Sequence, residues 1–261
     1  FEARTRVANT RALGDLAQTH GATATQPWNL RFFVSGDVTR QLDPYLSCAK
    51  GLERWLHSFR HLGIAYRGAT MQLDLLERKG KYQNGFCHGP IPPYFNAQNQ
   101  WVAGQINFTA GAKPDQIGSG ARAINTLFHE GGHAAHFANV TQNAPCFSQE
   151  FAPTSMAYAE TQSMFCDSLL DDADWLKRYA HNAQGEPIPD ALIHARIQTT
   201  QPFAAYSERS TLVVPYFERA LYRMSDEQLT AEMCWRWHAQ PSSAFWAWPL
   251  VRVRCWRFRT C

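Results

Sequence analysis

Apolar residues recur along this chain mostly at helical intervals, with alternation of period two confined to two short stretches. The opening residues, FEARTRVANTRALGDLAQ, read as the middle of a helix. Leu46, Leu52, Trp55, Leu56 and Phe59 are spaced for one helical face, which predicts a helix over residues 43–62. Strands are predicted at residues 71–76 (MQLDLL) and 101–109 (WVAGQINFT). In the second, Val102, Gly104, Ile106 and Phe108 alternate with Ala103, Gln105, Asn107 and Thr109, so one face is apolar and the other mostly polar. Residues 80–100, GKYQNGFCHGPIPPYFNAQNQ, form a long loop without regular pattern, a kind of segment that often carries function. A helix containing HEGGH follows, then a Pro/Asn loop, a helix over residues 154–179 and further helical segments to Met224. Helices dominate, and neither an internal repeat nor a linker interrupts them before residue 234.

Composition adds limits. A chain of 261 residues with 45% hydrophobic content buries a substantial core, as one domain or as part of a larger one. No uncharged apolar run reaches the length that crosses a bilayer. The formal charge of +3 belongs to one end: residues 234–261 hold five Arg, no Lys and no acid, leaving 20 basic against 22 acidic residues elsewhere. Nucleic-acid binding is therefore not read from this charge. The same stretch holds five of the nine Trp and three of the seven Cys, a break in composition. An out-of-frame or otherwise aberrant end is the foremost reading of it; a Trp/Arg membrane-interface segment and a core strand are the others. The seven cysteines are odd in number and lack CxxC pairs, which fits reduced thiols in a cytoplasmic protein. The start at Phe1, with no Met and no leader, reads as a fragment start, with any targeting signal upstream.

The chemistry gathers in LFHEGGHAAHFANV, residues 127–140. Side chains four apart on a helix stand one turn above each other with Cβ atoms about 5 to 6 Å apart, so His129 and His133 can direct imidazole nitrogens at one ion. A catalytic zinc takes three protein ligands and keeps an open position for water, and Glu130 stands where a general base would meet that water. A chance occurrence of the three residues on a surface helix is the competing reading, so the third ligand is the test. His136 lies seven residues from His129, about 10.5 Å along the axis at 1.5 Å per residue, too far to share the ion. The metzincin pattern would need Gly at 136 and His at 139, where this chain has His136 and Asn139. Downstream carboxylates remain: Glu150, Glu160 and Asp167. Glu150 precedes Phe-Ala-Pro in a loop, whereas Glu160 sits inside the predicted helix with Ser163 and Asp167 following on the same face. Glu160 is thus the expected third ligand, and Asp167 the expected acceptor for the other nitrogen of a ligand histidine. An exposed helix acid is the alternative for either.

These residues resemble the thimet oligopeptidase and oligoendopeptidase F metallopeptidases, whose zinc helix has the form FHExGHxxH; FHEGGHAAH, residues 128–136, is similar at every fixed position. The family places its glutamate ligand about 25 residues after the second histidine, followed by a serine at plus three and an acid at plus seven; here Glu160, Ser163 and Asp167 fall in those slots. QPWNLRFF, LDLLERKGKYQNGFC and INFT are similar to upstream family segments, so the resemblance covers roughly residues 26 to 225.

The resemblance implies a mainly α, multi-helical zincin-like catalytic domain with a small β-sheet next to the HExxH helix. It implies one zinc ion, and short peptides as substrates, cut at internal bonds by a metal-activated water with Glu130 as base. Residues 1–25 would end an N-terminal helical region, 26–233 would form a partial catalytic domain and 234–261 the aberrant tail. The strand at 101–109 could accept an extended peptide at its edge, or lie inside the sheet. Gly131 occupies a position where the family often has a larger residue, and the family's Gly/Tyr-rich substrate-contacting run has no counterpart here. Losing one oxyanion donor costs on the order of 10² to 10³ in turnover, so a catalytically impaired zinc-binding fragment is an alternative, as is a helical HExxH carboxypeptidase. The same ligands also accept cobalt or manganese.

Overall fold

A computed structural model describes residues 1–82, 84–141 and 155–233. Glu150, the Pro/Asn loop and the Trp/Arg-rich tail lie outside the described residues. The chain divides into two compact units, Asp37–Ala195 and a second composed of Phe1–Gly36 with Arg196–Cys261.

In the second unit, helices α1 (Glu2–His20) and α8 (Ala204–Leu221) and the first part of α2 (Pro27–Leu42) surround a small core. Leu13, Leu16, Ala24 and Leu30 are buried there, with Phe33, Val34, Phe203 and Tyr206 packed on them. The buried Arg209 of α8 donates to Thr5 Oγ1 of α1 at 3.0 Å.

The Asp37–Ala195 unit holds the motif helix. Its elements after α2 are α3 (Gly51–His61), β1 (Thr70–Leu76), β2 (Phe86–Ile91), β3 (Tyr94–Phe95), β4 (Trp101–Val102), β5 (Gln105–Ala112), α4 (Ser119–Asn139), α5 (Met156–Ser168), α6 (Ala173–Tyr179) and α7 (Asp190–Thr200), the last running on past Ala195. The architecture is mainly helical, with a three-stranded mixed sheet in the order β1-β5-β2 and a separate β3-β4 hairpin. β5 runs parallel to β1, pairing Thr70 with Gln105 and Leu73 with Phe108, and antiparallel to β2, pairing Phe86 with Thr109.

Several expectations change: the loop at 80–100 holds β2 and β3, and the helix at 154–179 is α5 and α6, parted by a tighter turn at Leu169–Asp171. The predicted helix at 43–62 is only its second half: α2 ends at Leu42, just before Asp43-Pro44, where the residue ahead of a proline avoids helical geometry. Leu46 is buried from the intervening turn, while Leu52 and Leu56 are exposed, because α3 turns Arg54, Trp55, Ser58 and Phe59 inward instead. The predicted strand at 101–109 is two strands. β4 belongs to the hairpin, and Gly104 breaks the run where the carbonyl of Ile91 crosses; a Cβ there would lie 2.8 Å from that oxygen. β5 then alternates cleanly, burying Ile106, Phe108, Ala110 and Ala112. Because β5 is the central strand, it has no free edge for a peptide.

The core between sheet and helices is aromatic. Trp55 meets Phe108 edge-to-face at 5.4 Å, Phe59 meets Phe128 at 5.5 Å, and Phe128 meets Trp175 at 5.4 Å, the T-shaped geometry that ring quadrupoles favour. Two polar groups within it are paired over long stretches of chain: Trp175 Nε1 donates to Ser58 Oγ at 2.9 Å, and Arg54 donates to the carbonyl of His181 at 2.7 Å. The β1–β5 register slips between Asp74 and Leu76. There the Lys81 ammonium, 5% exposed, donates to the carbonyls of Asp74 (2.7 Å), Leu76 (2.9 Å) and Ala110 (2.6 Å), supplying a donor to acceptors on both strands beside the slip.

Candidate metal centre

α4 runs for six turns with its glycine-rich middle buried, and its start is fixed by Gly118, in a left-handed conformation, whose N–H donates to Asp43 Oδ1 at 2.6 Å. One turn apart on this helix, the His129 and His133 rings lie 5.0 Å from each other. α5 packs against α4 and brings Glu160 to both: its Oε2 is 3.3 Å from His129 Nε2 and 3.3 Å from His133 Nε2. Ligand atoms held about 2.0 to 2.2 Å from one ion at tetrahedral angles stand about 3.3 to 3.6 Å apart, so the spacing suits a single zinc-sized cation. These three are the residues whose ligand atoms converge among the described residues, all within 4.8 Å of one another.

Two further groups fix this set. Asp167 Oδ2 lies 2.9 Å from His129 Nδ1. In a neutral imidazole this assigns the proton to Nδ1 and turns the Nε2 lone pair toward the Glu160 oxygen. Lone pairs facing a carboxylate oxygen are unfavourable unless a cation or a proton stands between them, so the donor set fits a metal. The Asp167 hydrogen bond also raises the pKa of His129 above its ordinary value, while burial lowers that of His133. Ser163, fully buried, donates to Glu160 Oε2 at 2.8 Å and so holds the carboxylate that the two histidines face. His133 Nδ1 has no partner among the described residues.

Glu130 is 6% exposed on the same helix. Burial pushes its carboxyl up to about 7, the Glu160 charge adding to the rise and His129 opposing it. Together with the two histidines and Glu160 it lines a cavity of about 360 Å³ whose other walls include Phe86 and His88 of β2 and Phe137 of α4. His136 is not in this group. It is buried, its ring 5.4 Å from Tyr158 and 5.7 Å from Phe137, and its Nε2 has no partner among the described residues.

Residues 64–244 match the sequence model of peptidase family M3. The chain belongs to peptidase family M3. No curated protein matches the chain. Membership makes it a peptidase with peptides as its substrate class, as the resemblance of FHEGGHAAH implied, and a mainly helical domain with a small sheet is the fold of this M3 chain. Among the described residues no helix is long and apolar enough to cross a membrane.

The two glycines of the M3 motif helix now have a reason. A Cβ on Gly131 would overlap the Trp55 indole, and one on Gly132 would stand 2.7 Å from the Cα of Ser163. They permit the close approach of α3 at Gly131 and of α5 at Gly132. Tyr66 adds a hydrogen bond to the Gly131 carbonyl at 3.2 Å. The β2 wall was only partly legible in the sequence: Phe86 lies in the family-like segment ending at Cys87, while His88 falls in the long stretch without regular pattern, of a kind that often carries function.

Proposed function

We propose that this M3 chain is a zinc-dependent metallo-oligopeptidase that cleaves internal bonds of short peptides, with His129, His133 and Glu160 as metal ligands and Glu130 as general base. The observation that carries the reading is the convergence of two imidazole nitrogens on one oxygen of Glu160 at 3.3 Å each, beside a buried carboxylate in a cavity. Bound there, zinc would polarise the scissile carbonyl and acidify the attacking water. Glu130 takes the proton from that water and hands it to the leaving amine. Burial suits it to both transfers near neutral pH, and the charge of a dication opposes the rise that burial causes. Asp167 orients His129 and increases its basicity as a ligand, and Ser163 keeps Glu160 from rotating away.

The extended peptide is assigned to β2, because β5 takes the other of the two places left open for it, inside the sheet. β2 is an edge of the three-stranded sheet among the described residues, and Phe86 and His88 already face the cavity. Adding a strand there would align the peptide backbone across the metal ligands. We place the enzyme in a reducing compartment such as the cytoplasm, in keeping with cysteines that are odd in number and lack CxxC pairs.

A quenched fluorescent oligopeptide assayed with zinc-loaded wild type and Glu130→Gln tests this function. Loss of general-base catalysis lowers the rate on the order of 10² to 10⁴-fold; equal rates in the two proteins refute the assignment. Mass analysis of the products separates internal cleavage from removal of single C-terminal residues.

A further inference from the structure

We propose that Gly85 is a positioning residue for Glu130: where the chain enters β2 and crosses α4, the absence of a side chain lets the Glu130 carboxylate rest against the strand backbone and fixes its place in the cavity. The inference rests on the reading of Glu130 as the base. Gly85 is not required by backbone conformation, for its φ is not in the positive range that favours glycine. Space is the reason. A Cβ at this position would overlap the Cγ2 methyl of Thr126 and lie 3.0 Å from Glu130 Oε1 and 3.0 Å from the carbonyl oxygen of Thr109.

These three neighbours differ in how far they can yield. The Thr109 carbonyl belongs to β5, which is paired with β2 through Phe86, so its movement would disturb the ladder. Thr126 is β-branched and stiff at χ1, and its hydroxyl donates to the carbonyl of Arg122 at 3.2 Å. Glu130 reaches the contact with the end of a flexible side chain. An added methyl therefore displaces the carboxylate in preference to the backbone. Gly89, four residues further along β2, leaves room in the same way for Phe137, whose Cγ would be 3.1 Å from an added Cβ. The strand lies close against the motif helix at both points, and at Gly85 the group it confines is the base.

The test uses the zinc-loaded full chain as wild type, Thr126→Ser, Gly85→Ala and the Gly85→Ala/Thr126→Ser double variant. Thr126→Ser removes the overlapping methyl, so the double variant regains packing and leaves only the contacts to Glu130 and the Thr109 carbonyl. We expect Thr126→Ser to match wild type. The double variant should recover the thermal stability and zinc affinity of wild type and bind peptide as tightly, yet turn over on the order of 10²-fold more slowly, the loss that a misplacement of about 1 Å causes. Crystal structures should show the Glu130 carboxylate shifted in Gly85→Ala and in the double variant. A double variant that recovers kcat along with stability overturns the proposal, as does a carboxylate that stays in its wild-type place. If wild type and Glu130→Gln cleave alike, the function assigned to Glu130 fails, and the crystallographic comparison still decides whether Gly85 sets the carboxylate's position.

Discussion

His129 Nδ1 lies 2.9 Å from Asp167 Oδ2, joining two residues thirty-eight positions apart and fixing which nitrogen of the imidazole faces Glu160. Outer partners of this kind typically contribute 10- to 100-fold in metal affinity. Asp167→Ala should weaken zinc binding by about that factor, and Asp167→Asn by less, because an amide oxygen still accepts the Nδ1–H. Competition with a chromophoric chelator measures both, and unchanged affinity in Asp167→Ala would remove the carboxylate from the centre.

Gly132 separates helix propensity from packing. Alanine in a helix interior is favoured over glycine by about 1 kcal/mol, so an unconstrained site would gain stability from the exchange. Here the new methyl would stand 2.7 Å from the Cα of Ser163 and 2.9 Å from the Gln162 carbonyl, both backbone atoms of α5. Overpacking costs about 1 to 3 kcal/mol, so Gly132→Ala should lower the urea midpoint and loosen the metal site together. A rise in stability would contradict the close α4–α5 contact.

The candidate ligand cluster was legible in the sequence because each part of it is local. Histidines four apart share a helix face, and Glu160, Ser163 and Asp167 lie along one face of a second helix, so spacing alone proposed the group that the fold brings together. What lay beyond reach is tertiary. Nothing within HEGGH says that Trp55 lies over Gly131, or that β2 crosses α4 at Gly85. The same limit left the strand at 101–109 open between an edge and the inside of the sheet, since alternation reports a buried face and is silent on how many neighbours a strand has. Periodicity also ran Leu46 and Phe59 into one helix, when a turn at Asp43-Pro44 brings Leu46 into the core by another route.

Lys81 offers a test of the sheet. Its ammonium, 5% exposed, donates to three backbone carbonyls on two strands as well as to Asp74. Lys81→Met keeps the aliphatic stem and removes the charged donor from these part-buried and exposed acceptors, and a hydrogen bond from a charged group contributes about 1.5 to 3 kcal/mol. Chemical denaturation should show a loss of that size or larger. Hydrogen exchange should become faster in β1 and β5 near the slip, and unaltered exchange there would argue against the lysine as a strand clamp.

Asp74 gives the unit an acid-sensitive contact. Hydrogen bonds from Arg78 and Lys81 pull its carboxyl down to about 2, against about 3.9 in an unfolded chain. A depressed carboxylate contributes stability that is fully present above the unfolded value and is lost as pH falls through the folded one. Wild type should therefore lose stability relative to Asp74→Asn between about pH 4 and pH 2. Unfolding midpoints of the two metal-free proteins, compared across that window, should converge toward the acid end; a constant difference would mean that Asp74 does not titrate with folding.

The two bonds that hold α3 in the core reach far down the chain, Ser58 to Trp175 and Arg54 to His181. During synthesis, α3 leaves the ribosome more than a hundred residues before either partner exists. Until then the Arg54 guanidinium has only the Ser47 carbonyl, at 3.5 Å, of its two carbonyl partners, and Phe128 lacks its edge-to-face partner Trp175. His129, His133 and Glu160 all emerge inside that interval. The nascent chain thus displays its candidate metal ligands before the scaffold that spaces them can close, and the core is complete only after Ile188, Leu192 and Ile193 have followed His181.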